Sequence, residues 1–355
     1  MEQFTWKYNR PLYGRDIPIS VTHLIFGFHF NQYLNTRVIP SSVTHLEFGT
    51  MFNKPLEINV IPESVEHLTF GKNFNQELEQ DVIPYGITHL TFGNNFNRPL
   101  RPGHIPDSVT HLTFGYNFNR HLEPGVIPNS VTHLTFGCRF NKLLHSGHIP
   151  DSVTHLVFGN YFNQPILDPG TIPDSVTHLD LGTGFNNRLY SLRFGCSINS
   201  IPNSVVYLKL NSLDNSKLYP GIFPDSVKYL ELGSAEYLDR DLEKYPILFG
   251  ENAINILEPG IIPKSVEYLK LVHSYTFMDS LPRYEKFIQP LEPILETTFI
   301  DLVGYYYMVN KWTSKNCKFF RDNFYRDIFT SKVNSSIIDS LPNELIFYLL
   351  EYSIP

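Results

Sequence analysis

Eight histidines occupy one position of a recurring phrase: His23, His45, His67, His89, His111, His133, His155 and His178. Imidazole binds metals, takes protons as a base and titrates near neutral pH, so a row of eight invites all three chemistries. Zinc, however, needs ligands converging tetrahedrally at about 2 Å, and a straight row diverges. A serine stands three residues before most of the histidines, as Ser108 does before His111. A catalytic triad is built once, so the same Ser–His pair repeated along a chain reads as scaffold. There is no Gly-rich phosphate loop, no H-E-x-x-H and no G-x-S-x-G. Neighbouring imidazoliums repel, so the row should resist full protonation. Tyr207, Tyr229 and Tyr268 take the position further along, and tyrosine stacks where it seldom ligates zinc. These residues predict a stacked aromatic ladder, with no metal, no cofactor and no catalytic activity.

A second polar column is asparagine: Asn9, Asn31, Asn53, Asn75, Asn97, Asn119, Asn141, Asn163 and Asn186. The residues two before it drift freely (His29, Met51, Arg139, Tyr161), while the amide stays. An amide both donates and accepts, so a fixed one is expected to be buried, satisfying loop backbone groups as a structural ladder.

What positions both columns is a 22-residue repeat. Ile-Pro recurs at Ile17, Ile39, Ile61, Ile83, Ile105, Ile127 and Ile149, and Phe-Asn keeps step from Phe30 to Phe162. The unit reads I-P-x-S-V-T-H-L-x-F-G-x-x-F-N-x-x-L-x-x-x-x. A fixed period of this size makes each unit one coil of a stacked solenoid. Within a coil, Leu112 and Phe114 lie two apart and share one face of an extended strand, leaving His111 and Thr113 on the other. The column at Thr113 runs Ile25, Glu47, Thr69, Thr91, Thr113, Thr135, Val157, Asp180, Lys209, Glu231 and Lys270, so it is the wet face. About eleven coils, at roughly 4.8 Å each, give a parallel sheet on the order of 50 Å long. Pro marks the corner before the strand, and Gly the corner after it, where a positive φ or a tight turn is wanted. The candidate partner-binding face is Glu47, Thr69, Thr91, Thr113, Thr135, Val157 and Asp180, with His89, His111 and His133 beside them.

Regularity holds to about residue 186. Two of the next three units are longer, with Ile201 coming 29 residues after Ile172, Phe223 22 after that and Ile262 39 after Phe223. Insertions in a solenoid go to loops and leave the stack intact. The expected organisation is a solenoid over 1–271, a linker or cap over 272–298, and a helical region over 299–355. Aromatics from Phe299 to Phe329 at helical spacing suggest two helices there.

Net charge is −7 over 355 residues and is not polarised, so a nucleic-acid surface is not expected. Cys138, Cys196 and Cys317 are odd in number and lack metal spacing, which favours a reducing, cytoplasmic setting. There is no signal-like segment and no long apolar run, so no membrane contact is expected.

With Phe96-Asn97-Arg98-Pro99-Leu100, Phe162-Asn163-Gln164-Pro165-Ile166 and the Ile-Pro-x-Ser-Val-Thr-His-Leu phrase, the unit resembles the FNIP repeat, and through it the leucine-rich repeat. The resemblance covers residues 8 to about 272. It implies an LRR-like solenoid used for recognition of a protein partner, not an activity. Residues 339–352, with Leu341, Pro342, Leu345 and Leu349, resemble the opening of an F-box, here truncated. That resemblance implies an alternative role, a substrate receptor reaching a cullin-type ubiquitin ligase through its adaptor.

Overall fold

The computed structural model describes residues 2–166, 168–185, 190–193, 196–199, 201–210, 221–233, 262–272 and 299–303. Its strands are β1 Gln3–Trp6, β2 His23–Phe26, β3 His45–Glu47, β4 His67–Thr69 and β5 His89–Thr91. Then come β6 His111–Thr113, β7 His133–Thr135, β8 His155–Val157, β9 His178–Asp180, β10 Tyr190–Arg193 and β11 Cys196–Asn199. The series closes with β12 Tyr207–Leu210, β13 Tyr229–Gly233, β14 Tyr268–Val272 and β15 Phe299–Val303. All but β10 and β11 form one thirteen-stranded sheet in sequence order. Every described pairing within it is parallel and in repeat register, so His89 faces His111 and Leu90 faces Leu112.

The register follows from burial. In the coil from Ile105 to Leu122, Ile105, Val109, Leu112, Phe114, Phe118 and Leu122 are each at most 3% exposed. Shifting a strand by one residue would turn Leu112 outward and His111 inward, so the alternation locks the pairing. Phe114 and Phe118 stack 4.1 Å apart within the coil and lie 5.7 and 6.2 Å from Phe136 and Phe140 of the next. Each such buried ring contributes about 2 kcal/mol or more.

Two turns make the corners. The Val109 N–H donates to the Pro106 carbonyl at 3.1 Å before the strand, and the Phe118 N–H donates to the Gly115 carbonyl at 3.0 Å after it. The serine hydroxyls stitch coil to coil: Ser108 Oγ donates to the Ile87 carbonyl and Ser130 Oγ to that of Val109, each at 2.7 Å. The glycine after the strand is required for a reason other than φ at most coils. A Cβ on Gly115 would overlap the Gly93 carbonyl oxygen, and one on Gly137 the Gly115 oxygen. Only Gly182 of this column has a positive φ, +72°. The left-handed position lies elsewhere, two residues before the Ile-Pro of the seven coils from Ile39 to Ile172. It holds Arg37 (66°), Asn59 (64°) and Asp81 (64°), then Gly103, Gly125, Gly147 and Gly170.

The long units do close onto the same ladder. β12 pairs directly with β9, Tyr207 opposite His178, while the intervening β10 and β11 pair antiparallel with each other. β14 likewise pairs with β13 across the 39-residue unit.

The sheet gains a strand at its start and exceeds the expected solenoid at its C-terminal end. β1 adds Phe4 and Trp6 opposite Leu24 and Phe26. At the other end β14 runs to Val272, and β15 pairs with it inside the span expected to be helical. Phe299-Ile300-Asp301-Leu302-Val303 alternates as Tyr268-Leu269-Lys270-Leu271-Val272 does. That period of two outweighs the helical spacing of the aromatics that follow. Asn186, the expected linker from 273 onward and the F-box-like residues Leu341, Pro342, Leu345 and Leu349 lie outside the described residues.

Candidate functional site

The outer face of the sheet carries the histidine row as a continuous stack. Ring centroids from His23 to His178 are 4.0–4.2 Å apart, with planes 7–19° from parallel. Tyr207 continues the stack 5.8 Å beyond His178. The rings point outward as expected but cover one another, so His89, His111 and His133 are half-buried. Ring-nitrogen lone pairs lie in the ring planes, and nearly parallel planes cannot aim two of them at one ion. Among the described residues, no group of three or more His, Cys, Asp or Glu is placed to hold a metal.

Each ring is steered by the residue before it. Thr110 Oγ1 lies 2.9 Å from His111 Nδ1, and the same contact recurs at Thr44, Thr88, Thr132, Thr154 and Thr177. Thr110 Oγ1 also donates to the Thr88 carbonyl at 3.2 Å. With its proton committed there, the hydroxyl accepts from Nδ1–H, which leaves Nε2 as the outward acceptor of a neutral ring. Burial first, and neighbouring imidazoles second, hold His45, His89, His133 and His155 below the usual histidine pKa. The hydroxyls of Ser42, Ser64, Ser108, Ser130, Ser152 and Ser175 are each engaged with a backbone carbonyl of the coil before and not with the histidine three residues on.

Beside the rings runs the second outward column. Glu47 is exposed, while Thr69, Thr91, Thr113, Thr135, Val157 and Asp180 are half-buried. Its middle is uncharged. Towards the C-terminal coils it turns ionic: Lys209 pairs with Asp180 directly across the ladder at 3.1 Å. Burial, Glu231 and Asp180 push the Tyr207 phenol up to about 12.

The asparagine column forms a ladder of a particular kind. Asn31 N–H donates to Asn9 Oδ1 at 3.0 Å, and the same bond links Asn53, Asn75, Asn97, Asn119, Asn141 and Asn163 to the coil before, at 2.9–3.0 Å. The side chains from Asn31 to Asn141 are half-buried, and Asn9 and Asn163 are exposed, where full burial was expected. The reason is that only Oδ1 turns inward to the backbone, while the rest of the amide lines an open trough. Asn53, Asn75, Asn97 and Asn119 form one wall and Asn73, Asn95 and Asn117 the other, with Arg139 at one end, around about 740 Å³. The second wall is a side-chain ladder, Asn95 Nδ2 to Asn73 Oδ1 at 3.1 Å and Asn117 Nδ2 to Asn95 Oδ1 at 2.9 Å. Sequence reasoning missed this wall because its asparagines span only three coils. It also missed the basic residues that follow the Asn in several coils, which the overall charge conceals.

Parallel ladder, inward Leu and Phe, and a loop-side asparagine in each coil define a leucine-rich-repeat-like solenoid. The FNIP Repeat family matches residues 8–51, 52–95, 96–139, 140–184, 166–213 and 196–235, and the chain belongs to that family. Among solved structures it is similar to "The crystal structure of CroV588 a novel circular LRR protein structure", at 37% identity and a TM-score of 0.64. The match covers 76% of this chain and 36% of that one, so the chain spans about a third of that protein's length. No curated protein matches. Among the described residues no helix is long and apolar enough to cross a membrane.

Proposed function

We propose that this protein is a non-enzymatic scaffold that binds a protein partner through the outer face of its sheet. The observation that carries this is the arrangement of polarity along that face. Thr69, Thr91, Thr113, Thr135 and Val157 make an uncharged, half-buried middle, bounded by exposed Glu47 at one end and the Asp180–Lys209 pair at the other. Protein interfaces have this anatomy, a centre depleted of charge within a polar rim. The stacked rings alongside hold the surface rigid, which lowers the ordering cost of association.

The test places a charge at the centre. Thr113→Arg should abolish capture of the partner from cell extract while leaving the far-ultraviolet circular dichroism unchanged. Asn59→Arg, on an exposed loop away from the sheet face, should leave capture intact. Retention by the Thr113→Arg protein, with loss in the Asn59→Arg protein, would refute the assignment to this face.

A further inference from the structure

From Asn9 to Asn163 the residue after the ladder asparagine is an amide or a cation: Arg10, Gln32, Lys54, Gln76, Arg98, Arg120, Lys142 and Gln164. Two of these cations are tied to the backbone of the Asn75 and Asn97 wall, beside the residues that line the trough. Arg98 Nε donates to the Asn75 carbonyl at 2.9 Å, and Arg120 Nε to the Asn97 carbonyl at 2.8 Å. Both carbonyls belong to residues of the trough wall. Committing Nε to the chain's own backbone leaves the terminal guanidinium N–H groups as a pre-set fork. Arg120 makes no ion pair among the described residues. Arg98 meets only Glu77, at 4.0 Å, and that carboxylate is largely exposed.

The wall itself is rich in donors. Asn75 and Asn97 give Oδ1 to the backbone of the next coil, and no described hydrogen bond uses their Nδ2. Arg139 closes one end, its guanidinium 5.7 Å from the Tyr116 ring. No carboxylate lines the trough, and no aromatic ring does.

We propose that this trough binds an extended acidic peptide segment of a partner protein. Its carboxylates accept from the Arg98 and Arg120 forks and from Arg139, and its main-chain carbonyls accept from the free Asn Nδ2 groups. Arg forks suit carboxylates because they donate two parallel bonds. A single-stranded nucleic acid would use aromatic platforms for its bases, which the trough lining lacks. This surface is separate from the sheet face, and either can fail without the other.

The protein supplies its own conservative variant. Gln76 Nε2 donates to the Asn53 carbonyl at 3.1 Å, the bond that Arg98 and Arg120 make one and two coils on. The Arg98→Gln, Arg120→Gln double substitution therefore keeps the backbone bond and removes only charge. Fluorescence anisotropy with the full chain would compare three labelled probes: a peptide alternating Glu and Ser, its Lys-for-Glu counterpart, and an oligothymidine of equal charge. The acidic peptide should bind, the basic one should not, and the oligonucleotide should bind more weakly. The double variant should melt as the wild type does and bind the acidic peptide about tenfold more weakly. Glu77→Gln, which frees the Arg98 fork, should tighten it. Equal binding by wild type and double variant, absence of acidic-peptide binding, or tighter binding of the oligonucleotide would overturn the proposal.

Discussion

Replacing Asn97 by alanine isolates one rung of the asparagine ladder. Three bonds meet at this residue. Its own N–H donates to Asn75 Oδ1, its carbonyl accepts from Arg120 Nε, and its Oδ1 accepts from the Asn119 N–H at 3.0 Å. Alanine keeps the first two and removes the third, leaving the Asn119 N–H without its partner. An unsatisfied buried donor costs about 1–3 kcal/mol. Water reaches this half-buried rung from the trough side, so the expected loss is about 1–2 kcal/mol. Because coils couple mainly to their neighbours, the loss falls on the boundary between two coils. Asn95→Ala is the matched control. It breaks two side-chain bonds at 2.9 and 3.1 Å, but both partners can turn to water, so its cost should stay within about 0.5 kcal/mol. Asn97→Asp restores an acceptor at the same place and should recover most of the stability. Urea unfolding followed by circular dichroism reads all three. If Asn97→Ala and Asn95→Ala prove equally mild, the ladder bond contributes nothing measurable and the reasoning fails.

The histidine row makes stability depend on acid. His45, His89, His133 and His155 are held below the ordinary histidine range, so the unfolded chain binds protons more tightly. Stability should be full above about pH 6.5 and should fall as pH drops through the lowered folded values; a thermal midpoint independent of pH across that window would contradict this. Changing His89, His111 and His133 together to tyrosine should keep the fold, as Tyr207 already stacks on His178, and should flatten the acid dependence. Elemental analysis of the wild-type protein should find no stoichiometric zinc, and a bound ion lost in the triple variant would reverse the assignment. Gly115→Ala should destabilise by more than 1 kcal/mol, roughly, because its Cβ meets backbone of the adjacent coil. Arg37→Gly should instead stabilise by about 1 kcal/mol, relieving a positive φ, and the two thermal midpoints should move in opposite directions.

The solenoid was legible because its evidence repeats. Leu112 and Phe114 at a spacing of two fix a strand, and the recurrence of that pair every 22 residues fixes parallel register. The stacked rings followed from the same step, since strands in register must place His89 over His111. Less legible was anything that depends on which half of a side chain faces inward. The constancy of Asn97 revealed a structural bond, yet a single bonded oxygen leaves the rest of the amide free, so full burial did not follow. Gly115 was read as a conformational need, whereas the constraint is the carbonyl of another coil, invisible along one unit. β15 was obscured by the aromatics after it, and Arg98 and Arg120 by a net negative composition. Each of these takes its meaning from a neighbour 22 or more residues away.

The interchangeable coil boundaries pose a problem of address. Ladder bonds, ring stacks and core Phe contacts at β4–β5 are nearly the same as those at β6–β7. A strand that docks one coil too far along finds the partners it would have found at home. The chain itself shows that a looped-out stretch is tolerated, since β12 sits on β9 across a 29-residue unit and β14 on β13 across one of 39. Slipped arrangements therefore differ from the native one by little more than a single coil's contacts, and they form a ladder of competing states. What distinguishes them is irregularity. Among the described residues the Asp180–Lys209 pair and the His178–Tyr207 stack occur once each, and only the native alignment forms them. The degenerate coils act as the index mark by which an otherwise periodic chain finds its count.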